Sequence, residues 1–148
     1  MSVIDKVLQG HTTESPRPTL REAAVTMLVS AVAADGALAP VEAARLTAIL
    51  SSMRLYRQVP PEHLQRLIDN ALDVTRQTTA EDSLAACAAV IPDDLRASMF
   101  ALAVELVFVD GHITDSEKRF VDALQGALAI DEETAMKIVE VLLIKGRA

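Results

Sequence analysis

The chain has 148 residues, which suits one domain, because a single core normally covers about 100 to 200 residues. Its 24 Ala and 18 Leu, against 5 Gly, no Trp and 3% aromatic content, are the makeup of packed helices. They exclude an all-β sandwich or a Gly-rich nucleotide-binding α/β fold. With 14 Lys plus Arg against 21 Asp plus Glu, the net charge is −7, which would repel a phosphate backbone, so nucleic acid is not an expected partner.

Cys87 is the single cysteine, so no internal disulfide forms, and Met1 to Gly10 mix charged and apolar residues instead of offering a signal-peptide core. A cytoplasmic location is expected. Mean hydropathy is +0.27, yet the longest uncharged apolar stretch, Ala23 to Ala34, is about half of what a membrane span needs. No direct membrane span is expected.

Ser2 to Gln9 fit a short amphipathic helix, and Gly10 to Pro18 read as a linker with two prolines. Residues 1–18 are therefore an N-terminal arm and linker, and 19–148 a single helical domain. Its first helix runs from about Thr19 to Ala34, with Glu22 at the capping-box spacing from Thr19. Only Thr26 and Ser30 interrupt its apolar surface after the first turn, which places it in the middle of a bundle. Asp35-Gly36 stops it, and Pro40 restarts a helix that reaches about Met53. Further helices follow over about Pro61 to Thr78, from Thr79 to near Ile91, and from Pro92 through Val109. Asp110-Gly111 ends the last of these. Thr114 to Glu117 cap the next helix, and Asp131 starts the final one, which reaches about Ile144. The expectation is an all-α bundle of roughly seven helices.

A shift of 75 residues sets Asp35-Gly36 on Asp110-Gly111, Leu38 on Ile113, Glu42 on Glu117, Leu46 on Val121, Ile49 on Leu124 and Met53 on Leu128. Two repeated helical hairpins packed about an approximate two-fold axis are expected. Glu42, Leu46, Ile49 and Met53 share one helix face, as do Glu117, Val121, Leu124 and Leu128. Counted backwards, Asp35 stands above Ala31, Leu28 and Ala24, and Asp110 above Leu106, Ala103 and Met99. Each Asp and its Glu should therefore meet at one hairpin end.

An aspartate at a helix C-terminus faces the wrong end of the helix dipole, at a cost of about 0.3 to 1 kcal/mol, and a second carboxylate adds repulsion. Three compensations stay open: backbone N–H groups, a basic side chain such as Arg45, or a divalent metal ion held by Asp35, Glu42, Asp110 and Glu117. Capping accounts for Glu117, which has Thr114 as partner, better than for Glu42, which has Ala39. The loop is not an EF-hand. His112 and Asp115 are expected to be solvated, and Glu105 to be a surface or inter-helix polar residue.

The segments Ala33-Ala34-Asp35-Gly36-Ala37-Leu38-Ala39-Pro40-Val41-Glu42 and Val109-Asp110-Gly111-His112-Ile113-Thr114-Asp115-Ser116-Glu117 resemble the duplicated motif of the TerB-like (tellurite-resistance protein B) family. The resemblance spans about Leu20 to Leu143. It implies an all-helical bundle whose acidic positions, here Asp35, Glu42, Asp110 and Glu117, are proposed to bind metal. It further implies a bacterial, cytoplasmic, stress-response protein that acts as an interaction module. A protein partner is expected, a membrane-associated complex or a second copy in a homodimer being compatible candidates. The metal would be Ca, Mg, Mn or Zn. No His-Pro-Asp tripeptide is present, so chaperone recruitment is not expected.

No enzyme is expected. Gly-x-Ser-x-Gly, His-Glu-x-x-His, phosphate-cradling glycine loops and Glu-x-x-His pairs are all missing from the sequence. Cys87 lies in an alanine-rich setting that suits a packed thiol. The alternatives are an adaptor whose acids only cap helices, or a metal-dependent enzyme built on the four carboxylates. A helix-turn-helix reading of Val41 to Met53 fails on charge.

Overall fold

The computed structural model describes residues 2–4, 17–33, 36–108 and 111–148. The expected Ser2–Gln9 helix lies mostly outside these residues. Seven helices follow: α1 (Leu20–Val32), α2 (Pro40–Ser52), α3 (Pro61–Gln77), α4 (Ala80–Ala88), α5 (Asp93–Val107), α6 (Asp115–Ala127) and α7 (Glu132–Lys145). A 3-10 turn, Arg54–Tyr56, links α2 to α3. Among the described residues there is no strand, and the protein is all-α as its composition predicts.

Local chemistry sets the helix starts. Thr19 and Glu22 form a reciprocal capping box at α1, as do Thr114 and Glu117 at α6. Thr79 Oγ1 accepts from Asp82 N–H at α4, and Asp131 Oδ2 from Thr134 N–H at α7. Pro40 and Pro61 stand in the first turns of α2 and α3, where a missing N–H costs nothing.

Helix α1 is the axis of the bundle. Ala23 through Val29 are all buried, seven consecutive residues that cover every side of the helix. It packs on α2, α3, α4 and α5, and α5 in turn packs on α2, α6 and α7. Burying one Leu, Val or Met side chain contributes about 1.5–3 kcal/mol, so a helix buried on every side is a large share of the fold's stability. Phe100, Met27, Leu28, Leu46, Leu50, Leu124 and Leu128 are the largest enclosed side chains.

Long-range polar contacts then lock the helix ends. Arg96, on the first turn of α5, donates from Nε to Ile91 O (3.2 Å), from Nη2 to Ala88 O (2.9 Å) and from Nη1 to Leu128 O (3.0 Å). One guanidinium thereby satisfies carbonyls at the C-terminal ends of α4 and α6, where the helix dipole also favours a cation. Tyr56 Oη donates to Arg21 O at 2.6 Å, while Arg21 Nε donates back to Leu55 O at 3.0 Å, which pins the 3-10 turn to the start of α1. Burial pushes the Tyr56 hydroxyl pKa above its ordinary value.

Cys87 is buried, as its alanine-rich context predicts, and burial pushes its thiol pKa up to about 11. Because the folded state holds the neutral thiol, the unfolded chain ionises first, from the ordinary thiol value of 9.0 upward. The stability contributed by this group is present below that pH and is lost as pH rises toward about 11. Cys87→Ala should flatten the fall in urea stability over this alkaline window. Arg96→Met should cost about 2–4 kcal/mol in urea denaturation, because three acceptors lose a charged donor in a site where Arg96 is only 23% exposed.

Candidate functional site

The glycines of the two Asp-Gly motifs have the same local geometry. Gly36 N–H donates to Ala33 O at 3.4 Å and Gly111 N–H to Phe108 O at 3.0 Å, with φ of +73° and +71°. Positive φ explains why glycine occupies both positions. Three residues on in each copy, a backbone N–H reaches a glutamate: Ala39 N to Glu42 Oε1 at 3.1 Å, and Thr114 N to Glu117 Oε1 at 3.0 Å. The helices that follow, α2 and α6, each have 13 residues and start 75 positions apart. The 75-residue shift thus holds through the turn and the first helical turn.

Further along, the copies part. Buried positions are Leu46 and Leu50 in α2 but Leu124 in α6 and Leu128 just after it, which correspond to Ile49 and Met53. The buried stripe has moved by three residues, a rotation of roughly 60° about the helix axis. The two helices share α5 as a neighbour but differ otherwise: α2 packs on α1 and the 3-10 turn, whereas α6 packs on α4. Helix α4 lies between the two hairpins in chain order.

Glu42 and Glu117 line one open groove of about 920 Å³, together with Ser30, Val32, Arg45 and Phe120. Both are half-buried, and their Oε2 atoms accept no hydrogen bond from the described residues. Arg45 is engaged in an interaction of its own. Val41, 60% exposed, stands on the rim. Asp35 and Asp110 lie outside the described residues. Among the described residues no three metal-ligating side chains cluster. Among the described residues the donor set fits a hard cation, two carboxylates each with an oxygen that accepts no hydrogen bond from a described residue, and no His or Cys on the groove wall.

Other sequence expectations resolve simply. His112 and Asp115 are exposed, and Asp115 pairs with Lys118 at 3.9 Å. Glu105 pairs with Lys145, which ties α5 to α7 as an inter-helix residue. Glu42 receives a backbone N–H although Ala39 has no side-chain acceptor, so half of a capping box forms where its sequence promised less.

The family model of tellurite resistance protein TerB matches residues 21–139. The chain belongs to the TerB family. Comparison with curated proteins and with solved structures gives no match. The matched span runs from α1 into α7 and so includes both Asp-Gly motifs and both groove glutamates of this TerB domain.

One site residue left no mark in the sequence. Arg76, on α3, donates from Nε to Gly36 O at 2.8 Å. A Cβ placed on Gly36 would meet Arg76 Cγ at 2.6 Å, whereas one on Gly111 would meet nothing within 4 Å. The first turn is clamped by a second helix and the second is not. Gly111→Ala should therefore cost about 1 kcal/mol of backbone strain alone. Gly36→Ala should cost clearly more in the same urea titration, because the arginine must also move.

Proposed function

We propose that this TerB domain is a non-catalytic interaction module whose groove binds a divalent cation through Glu42 and Glu117, joined by Asp35 and Asp110. The observation that carries the reading is the convergence of two glutamates, 75 positions apart in the chain, on one groove. Each carboxylate keeps one oxygen that accepts no hydrogen bond from a described residue, the kind of ligand a hard cation takes. The oxygen-only wall favours Ca, Mg or Mn over Zn. Such an ion would supply charge neutralisation and a link between the two hairpins. The apolar residues beside the carboxylates, Val32, Val41, Leu106 and Phe120, give a protein partner a surface to cover. Among the described residues no helix is long and apolar enough to cross a membrane, in keeping with a partner-bound rather than membrane-spanning role. A role in bacterial stress response in the cytoplasm, with tellurite as one stress, follows from family membership as part of the same proposal.

A second reading has its own support. Both glutamates accept backbone N–H groups, and Arg45 stands on the same wall, so the acids would serve purely as helix caps. Thermal melting separates the two. Addition of Ca²⁺, Mg²⁺ or Mn²⁺ should raise the melting temperature of the wild type, a ligand at 100 times its Kd adding about 2.7 kcal/mol. The Asp35→Asn plus Asp110→Asn variant and the Glu42→Gln plus Glu117→Gln variant should lose that response. Melting curves that ignore every ion would leave the capping reading in place.

A further inference from the structure

A second cleft, remote from the paired glutamates, lies between α1, α3 and α4. Its volume is about 500 Å³, within the range of roughly 300–1,000 Å³ that small-molecule sites occupy. The walls are mixed: Leu67, Ala71 and Val74 from α3 and Ala86 and Cys87 from α4 form an apolar strip, flanked by the neutral polar side chains of Thr26, Asn70, Gln77 and Thr78. Val74 is 40% exposed, an apolar side chain at the surface. Ser83 stands on the same wall. It is 4% exposed, and its Oγ is the one buried side-chain polar atom among the described residues that has no hydrogen-bond partner. A buried hydroxyl without a partner costs about 1–3 kcal/mol. Four residues on, the Cys87 thiol offers this hydroxyl only a sulfur contact, a weak hydrogen bond that lowers the thiol's pKa against the larger upward push of burial.

The remaining lining residues decide which ligands fit. Glu22 and Asp82 border the cleft, and among the described residues no Lys, Arg or His lines it. An anionic head group would meet two carboxylates and no cation, on a chain of net charge −7. We propose that this cleft binds a small, non-anionic amphiphile: an apolar body lies against Leu67, Ala71, Val74 and Ala86, and an alcohol or amine end completes the hydrogen bonding of Ser83 Oγ. The site shares no residue with the groove of Glu42 and Glu117 and stands whether or not that groove takes a metal.

Methyl NMR of the full chain, titrated with 1-octanol, n-octylamine and octanoate, tests the proposal. The alcohol and the amine should give saturable shifts at the Leu67, Ala71 and Val74 methyls and raise the melting temperature, while octanoate should do neither. Ser83→Ala should weaken both ligands about three- to tenfold, the worth of one hydrogen bond. The same variant, unliganded, should melt at the wild-type temperature or above it, because it removes a hydroxyl that had no partner. Ala86→Phe, on an exposed position at the cleft, should abolish the shifts while the fold stays intact. The proposal is overturned if octanol and octylamine leave these methyls unmoved, if octanoate binds as well as they do, or if neither substitution changes binding.

Discussion

Everything in this bundle depends on burying α1 on every side. A helix with one apolar stripe needs one neighbour, but a helix apolar all round needs several, and α2, α3, α4 and α5 supply them. Ala23 and Ala24 matter here because small side chains let neighbouring helices close on the axis, while Met27 and Leu28 fill the wider gaps. Its counterpart in the second copy, α5, does the same for α2, α6 and α7. Two central helices packed on each other fix where their C-terminal turns emerge. The shared position of Glu42 and Glu117 follows from that packing and not from any contact between the glutamates themselves.

The cost of so apolar a centre is that helix ends must find polar partners near the surface. Caps on Thr19, Thr79, Thr114 and Asp131 satisfy the N-termini locally. The C-termini are satisfied at a distance, by Arg96 across α4 and α6, and by Arg76 at the turn after α1. Side chains thus hold the two kinds of helix end by different means, short and sequential at one, long and tertiary at the other.

That division explains what was legible beforehand. Prolines, Thr-x-x-Glu spacings and Asp-Gly pairs are local signals, and they located all seven helices to within a few residues. The 75-residue shift likewise brought out Glu42 and Glu117 as a pair, and the groove contains both. Arg96 gave no such signal, because its acceptor Leu128 O is 32 positions away and backbone carbonyls carry no sequence label. Arg76 is hidden for the same reason, 40 positions from Gly36. The rotation of the buried face between α2 and α6 was equally invisible, since it arises from neighbours and not from the helix's own pattern. The 3-10 turn at Arg54–Tyr56 escaped notice because three residues are too few for any periodicity.

The joint made by Arg96 has a further consequence. A guanidinium keeps its charge across the accessible pH range, and peptide carbonyls do not titrate, so acidification leaves this three-way fastening untouched. At the start of α7, by contrast, the fastening is the Asp131 carboxylate, whose pKa its bonds to Thr134 hold below the ordinary value. Acid therefore loosens the start of α7, where protonation removes the acceptor of the cap, while the joint of α4, α5 and α6 keeps its fastening.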